Sequence, residues 1–130
     1  MKMNVFYILM TVLVISLGAM RAECSEPYDT ALRYLQALKG GDVETIKDSI
    51  TGELLEKRSV LLEENENYSE FLKTYYQGAV FEIKANPIKG NMAQTSVEVY
   101  FINRHTQFEL LLNMNDKGKW KIFKEVDEQK

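Results

Sequence analysis

The sequence is poor in the residues that build disulfide frameworks and transition-metal sites. Its 130 residues contain one cysteine, Cys24, and one histidine, His105. A single cysteine cannot form an internal disulfide, so the fold has to rely on its core. A histidine or cysteine metal site needs several ligands, and the sequence supplies no second residue of either type. We therefore expect no metal site and no cofactor.

The usual signatures of catalysis and nucleic-acid binding are also missing. The sequence has no glycine-rich phosphate loop and no serine or cysteine nucleophile in a recognisable motif. The histidine follows Arg104 in a predicted hairpin turn, where a general base would have no orienting partner and no cavity. The net charge is −3, and positive charge is concentrated only in the last hairpin, at Lys117, Lys119, Lys121 and Lys124. Nucleic-acid binding requires a broader basic surface, so we predict none.

An apolar segment precedes the part of the chain that carries regular patterns. Lys2 is followed by the apolar run Val5–Met20, which as a helix would extend roughly 24 Å and fall short of a hydrocarbon core of about 30 Å. We predict a cleaved signal peptide over residues 1–22 and export to the periplasm or the medium. An uncleaved membrane anchor is the alternative. A lipid on Cys24 is a lesser one, because the acidic Glu23 beside it is a poor match to a lipoprotein signal.

The remaining residues read as a short linker, 23–26, and one domain, 27–128. Before residue 79 the apolar positions recur with helical spacing and predict four short helices. Asp42 is placed to cap the second helix, and Asn67 with Glu70 predicts a capping box for the fourth. From Ala79 the period becomes 2, which predicts four consecutive strands. We predict an α+β fold in which the helices pack on one face of a curved, mainly antiparallel four-stranded meander.

Two hairpin turns predict which side chains share the inner face of the sheet. Pairing Asn103 with Thr106 sets Phe101 opposite Phe108, and a turn at 116–118 sets Met114 opposite Trp120. The predicted inner face is then apolar throughout: Phe81, Ile83, Val97, Val99, Phe101, Phe108, Leu110, Leu112, Trp120 and Ile122. The acidic strand residues Glu82, Glu98 and Glu109 fall on the other face.

The chain resembles the nuclear-transport-factor-two-like superfamily, also described as the cystatin-like cone or SnoaL-like group. The resemblance rests on the order of helices and strands, on residues 37–43 (ALKGGDV) and on the strand start at 118–122 (GKWKI). It implies a cone-shaped sheet wrapped by helices, as in small exported bacterial domains. The superfamily includes isomerases, cyclases, dehydratases, small-molecule binders and envelope components. Its enzymes that act on carbonyl compounds place a carboxylate base and a polar donor, often tyrosine, inside the cone.

The predicted inner face has no such pair, so we predict no catalytic residue. The leading hypothesis is an exported, non-catalytic binding or accessory module of the cell envelope. One alternative is an isomerase or dehydratase with a small apolar substrate, and another is a structural component of an envelope or secretion complex.

Two surfaces are candidate binding sites. Inside the cone, aromatic and aliphatic side chains are placed to line a pocket for a small apolar ligand with a polar handle, or else simply to fill the core: Tyr34, Tyr75, Phe81, Val99 and Trp120. On the outer face an apolar patch predicts a sheet-to-sheet homodimer, with partial cover by the C-terminal tail or by long lysine stems as the alternative: Tyr100, Ile102, Leu111 and Phe123. Apart from the signal segment or a lipid on Cys24, we expect no membrane contact.

Overall fold

The computed structural model describes residues 26–127, in which four helices precede four strands. The helices are α1 (Glu26–Gly40), α2 (Val43–Ser49), α3 (Gly52–Glu64) and α4 (Tyr68–Tyr75). The strands are β1 (Val80–Ala85), β2 (Met92–Tyr100), β3 (His105–Met114) and β4 (Trp120–Asp127). The strands form one antiparallel sheet in the order β1-β2-β3-β4. The predicted α+β fold class, helices with a four-stranded meander, is confirmed. The predicted signal peptide and Cys24 lie outside the described residues.

The helix α1 packs on the sheet and also contacts α2 and α4, whereas α3 packs directly against β4. The apolar stripe of α1, at the spacing the sequence predicts, is fully buried: Ala31, Tyr34, Leu35 and Leu38. Within the sheet this helix contacts β1, β2 and β4. Within residues 26–127, no helix combines the length and hydropathy that crossing a membrane would need.

The helix starts agree with the sequence at one cap and differ at another. Asp42 caps α2, since its Oδ1 accepts from the backbone N of Thr45 at 3.3 Å and its Oδ2 from the Thr45 hydroxyl at 2.7 Å. The predicted capping box at α4 is wrong, because the Asn67 side chain makes no capping bond. The carboxylate of Glu70 instead accepts from Lys73 Nζ at 3.0 Å. An ion pair within one helical turn therefore replaces the bond back to the helix start.

The β2–β3 turn comes two residues earlier than the sequence predicts. Phe101 N donates to Arg104 O at 2.8 Å, so Ile102 and Asn103 form the loop. Phe108 therefore pairs with Val97 rather than with Phe101. The predicted pairs are wrong, but the faces are unchanged, because a register offset by an even number of residues keeps each side chain on its face. Side-chain alternation alone cannot distinguish the two registers.

The β3–β4 hairpin forms as predicted. Met114 pairs with Trp120, and Asn115 N donates to Lys119 O at 2.9 Å. Gly118 occupies the left-handed position with φ of 76°, which glycine adopts without a steric penalty. The side chain of Asn115 also accepts from the backbone N of Lys117 at 3.0 Å and of Lys119 at 2.9 Å. The tip of this hairpin is therefore held by both backbone and side-chain bonds.

A β-bulge in β4 changes which of its side chains face the helices. Leu112 pairs with Ile122, whereas its neighbour Leu111 pairs with Lys124. Phe123 is therefore an extra residue between two paired ones, and the alternation of β4 is reversed beyond it. A regular strand would have set Lys124 on the inner side with Ile122.

The reversal brings two carboxylates to the inner side of the sheet. Beyond the bulge, Glu125 pairs with Leu110 and Asp127 pairs with Phe108. Leu110 is fully buried and Phe108 half-buried against the core. The prediction of a purely apolar inner face is therefore wrong at the C-terminal end of β4. Strict alternation along β4 does not hold at Phe123, and so it does not predict the faces of the residues beyond it.

Candidate functional site

A groove of about 540 Å³ opens at the end of the sheet that carries the β2–β3 turn. We call it the aromatic groove; it is lined by the end of α4, by the facing ends of β2 and β3 and by the end of β4. Its lining includes Tyr75, Tyr76, Val99, Phe101, Phe108 and Glu125. Its volume is within the range of small-molecule sites, roughly 300–1,000 Å³. Its rim is polar, with His105, Thr106, Gln107 and Asp127.

The walls of the aromatic groove are rings that pack against one another. Tyr75 and Phe101 meet edge to face with centroids 5.5 Å apart, and Tyr76 stacks on Phe101 at 6.0 Å. The guanidinium carbon of Arg104 lies 3.9 Å from the centre of the Phe101 ring and 5.0 Å from that of Tyr75. Tyr76 also packs against Phe81 on the core side. This wall is therefore held in place by ring contacts from both sides.

Beneath the groove, a buried arginine joins three polar side chains. Arg58 of α3 donates from Nη1 to Tyr68 Oη at 2.5 Å, and from Nη2 to Tyr34 Oη at 3.0 Å and to Glu125 Oε2 at 3.2 Å. Tyr34 Oη donates to the same carboxylate oxygen. The side chains of Arg58 and Glu125 keep 15% and 29% of their surface exposed. We call this set the Arg58 network.

Electrostatics keep the tyrosines around Glu125 protonated. Burial, followed by the negative charge of Glu125, raises the pKa of Tyr34 well above its usual value near 10. The same two causes, in the same order, raise the pKa of Tyr76 to about 12. Both rings therefore keep their hydroxyl proton, and with it the capacity to donate a hydrogen bond, to a higher pH than a free tyrosine does. For Arg58, burial acts to lower the pKa, but the combined attraction to Tyr34 and Glu125 outweighs it, and the pKa is raised above the usual arginine value.

The structure separates the five residues predicted for the pocket. Tyr75 and Val99 line the aromatic groove. Tyr34 is fully buried below it, in the Arg58 network. Phe81 packs behind the groove wall against Tyr76, and Trp120 lines a different cavity at the other end of the sheet.

Sequence reasoning missed the two charged residues that matter most here, Arg58 and Glu125. Arg58 lies on α3, whose apolar stripe consists of leucines. A single arginine beside such a stripe does not by itself indicate that its side chain is buried. The inward position of Glu125 could not be predicted because the bulge at Phe123 reverses the alternation of β4. The signal that could have revealed it is the sequence of β4 after Ile122, where regular alternation would bury a lysine.

On the outer face, the predicted interface residues differ widely in exposure, and the exposed Val80 pairs with Tyr100 beside them. Ile102 is 89% exposed at the tip of the turn, and Leu111 and Phe123 are half-buried. Tyr100 stacks on His105, with ring centroids 4.5 Å apart, and donates to Glu98 at 2.5 Å.

The histidine is not in a turn, as the sequence predicted, but begins β3 opposite Tyr100. Its Nε2 lies 3.5 Å from Glu98 Oε1. It therefore has an orienting partner, and it also lies at the rim of the aromatic groove, so the expectation that it has neither a partner nor a cavity is wrong. The hydrogen bond from Tyr100 is the main cause that lowers the pKa of Glu98. Among the described residues, no group of histidine, cysteine and acidic side chains is arranged to hold a metal ion.

Comparisons with known proteins add one likeness. No protein-family model matches the chain, and no curated protein matches it. The chain is similar to the solved structure of an LEH-like epoxide hydrolase from M. tuberculosis, with 14% sequence identity over 78% of this chain and 79% of that one. The TM-score of this match is 0.36, which is too low to carry an argument about this protein.

Proposed function

We propose that this protein is an exported, non-catalytic module of the cell envelope that binds a small apolar ligand in the aromatic groove. The observation that carries the proposal is the juxtaposition of packed rings with the partly exposed carboxylate of Glu125, which Arg58 and Tyr34 hold in place. Apolar sites with a few placed polar groups are typical of small-molecule binding. Membership of the nuclear-transport-factor-two-like superfamily is part of the proposal, supported by the helices that precede an antiparallel meander.

The groove favours a ligand with an aromatic or aliphatic body. Phe101 and Phe108 are half-buried and offer apolar surface, and Tyr75 is 45% exposed. Burying that surface under a ligand contributes about 25 cal/mol per Å² of apolar area. Because the rings already pack against one another, little side-chain entropy is lost when a ligand binds.

Glu125 favours a ligand that carries a hydrogen-bond donor, such as a hydroxyl or an amine. Its carboxylate oxygen Oε2 is held by Arg58 and Tyr34, so the group is fixed in place while part of it faces the groove. An ionised carboxylate only accepts hydrogen bonds. A donor on the ligand would therefore be oriented towards the base of the groove.

The direct test uses the probe N-phenylnaphthylamine, which has an apolar body and one N–H donor. We expect its fluorescence to rise on binding to the protein and to fall back when Thr106→Trp fills the groove mouth. Thr106 is exposed and pairs with Val99, so the new ring would extend into the groove without entering the core. Lys84→Trp, at an exposed site on β1, is the matched control. Equal probe binding by both variants and the unmodified protein would contradict the proposal.

A carbonyl isomerase or dehydratase is the second candidate, and a specific observation favours it. Glu125 and Tyr76 line the same groove, and the phenol of Tyr76, whose pKa is raised to about 12 by burial and by the charge of Glu125, is protonated at neutral pH, as any tyrosine is, and can donate a hydrogen bond. A carboxylate that removes a proton next to a carbonyl, with a phenol that binds the carbonyl oxygen, is a workable acid–base pair.

Solvent exchange distinguishes the two candidates. A base that removes α-protons would exchange deuterium from D₂O into cyclohexanone, which mass spectrometry detects. For a binding module we expect exchange at the buffer rate. Exchange above that rate in the unmodified protein, abolished in Glu125→Gln and retained in Asp127→Asn, would establish the enzyme instead.

The proposed export has its own test. Intact mass of the protein purified from its native envelope reports the cleavage site and any lipid on Cys24. A mass that corresponds to loss of residues 1–22 is expected. An intact N-terminal segment would establish the membrane-anchored alternative.

A further inference from the structure

A second cavity, of about 640 Å³, lies at the end of the sheet opposite the aromatic groove. Consecutive turns of a meander lie at opposite ends, so the β3–β4 hairpin tip is far from the β2–β3 turn. We call this cavity the basic pocket. The start of α1, the end of α2 and the hairpin tip supply its charged residues: Asp29, Arg33, Asp48, Lys117, Lys119 and Lys121.

The basic pocket has an excess of positive charge in a chain whose net charge is −3. Four cationic side chains face two carboxylates. Lys121 is held by Asp48, since its Nζ donates to the Asp48 carbonyl and lies 3.6 Å from the carboxylate. Arg33, Lys117 and Lys119 are exposed, and none of them forms an ion pair within the described residues. Three cations are therefore available to an external anion.

These three cations are exposed side chains that line the pocket from two different elements. The lysines at positions 117 and 119 flank Gly118 on a hairpin tip fixed by Asn115, while Arg33 lies on the neighbouring helix α1. Long exposed side chains surround a single small anion poorly. They suit an extended anionic surface, where each cation meets a different charged group.

The pocket also lies beside the first residues that the structure describes. Thr30 Oγ1, in the first turns of α1, donates to Trp120 O at 3.3 Å and so holds this helix against the start of β4. In the sequence, Cys24 stands two residues before Glu26 and the apolar run 5–20 precedes it closely. Any membrane attachment through that segment would place the basic pocket near the lipid headgroups.

We propose that the basic pocket docks the domain on a membrane that contains anionic lipids, whose headgroup phosphates contact Arg33, Lys117 and Lys119. In this orientation the aromatic groove, at the opposite end of the sheet, faces away from the membrane and stays open to solvent. The docking is independent of the ligand bound in the groove. It also does not require the segment before Glu26 to remain, because the cations themselves supply the attraction.

The test compares vesicles of pure phosphatidylcholine with vesicles of phosphatidylcholine and phosphatidylglycerol. For each form of the full chain, the measured quantity is the ratio of the two partition coefficients in co-flotation. Apolar contacts of the N-terminal segment contribute equally to both vesicles and cancel in the ratio. Each basic residue near an anionic surface contributes about five-fold in affinity, so Lys117→Gln with Lys119→Gln should lower the ratio roughly thirty-fold.

The matched control removes the same charge from elsewhere on the domain. Lys57 on α3 and Lys84 on β1 are exposed, and Lys57→Gln with Lys84→Gln should leave the ratio unchanged. Equal losses in the two double variants would show attraction by net charge only and overturn the proposal. An unchanged ratio in the hairpin variant would overturn it as well.

A further arm distinguishes lipid headgroups from soluble phosphate. Inorganic phosphate is titrated while backbone amide shifts of the hairpin tip are followed by NMR. Weak, unsaturated shifts are expected. Saturable binding of phosphate that prevents vesicle binding by direct occupancy, at constant ionic strength, would instead indicate a soluble anion as the ligand and overturn membrane docking.

Discussion

The coupling between Arg58 and Glu125 is the interaction on which the shape of the groove base depends most directly. Removing one member of a fully buried ion pair costs about 3–5 kcal/mol, because the other charge is left without its partner. Here the side chains of Arg58 and Glu125 remain 15% and 29% exposed, so solvent screening lowers the cost of removing one of them. We expect Arg58→Met to lower the free energy of unfolding by about 2–3 kcal/mol. Part of this loss comes from Tyr68, whose hydroxyl loses a donor.

A double-mutant cycle isolates the pair itself. Combining Arg58→Met with Glu125→Gln should give a coupling energy of about 1–2 kcal/mol. The same cycle at Glu70 and Lys73, whose ions are 3.0 Å apart but whose side chains are 71% and 49% exposed, should give less than about 0.5 kcal/mol.

Urea unfolding measures both cycles through the fluorescence of Trp120, which is the only tryptophan and is 5% exposed. A coupling energy at Arg58 and Glu125 no larger than at the exposed pair would refute the argument. It would mean that water enters the groove base and that the network does not fix Glu125.

Three further predictions address the backbone, the pH dependence and the outer face. Gly41→Ala should destabilise the fold by about 2–4 kcal/mol in urea unfolding, because φ is 67° and a Cβ would approach Ser69 O to 2.7 Å. Gly118 is the control, because its φ is 76° but the space around it is open. Gly118→Ala should therefore cost only about 1 kcal/mol. The raised pKa of Tyr76, about 12, means that the folded state holds this proton more tightly than the unfolded state. The stabilisation of the folded state that results is complete below pH 10 and is lost as the pH rises towards 12. In Tyr76→Phe, the free energy of unfolding should therefore decrease by about 1–2 kcal/mol less over that pH range than in the unmodified protein. Ile102→Asp should convert the predicted homodimer to a monomer in light scattering, and a monomeric unmodified protein would exclude that dimer.

The main features of the fold follow from patterns that the chain carries locally. Helical spacing before residue 79 and alternation after it are sufficient to predict four helices followed by a meander, because each element must bury one face. The Asp42 cap and the turn around Gly118 were predictable for the same reason: each depends on a few neighbouring residues.

The errors arise where two patterns fit the sequence equally well or where a strand is irregular. The turn at Ile102 and the one predicted two residues later place the same side chains on the same face, so only packing between strands decides between them. The bulge at Phe123 depends on what β3 and the helices present to β4, and alternation within one strand contains no information about that.

The sequence alone therefore determined the class of fold, the order of its elements and the basic character of the last hairpin, since all three depend on local composition and periodicity. Only the tertiary structure decided the chemistry inside the cone. Glu125 faces inward because a bulge reverses its strand, and Arg58 of α3 lies beneath the groove because that helix packs against β4. Two charges 67 positions apart meet at 3.2 Å, and such a contact follows from packing rather than from any pattern along the chain.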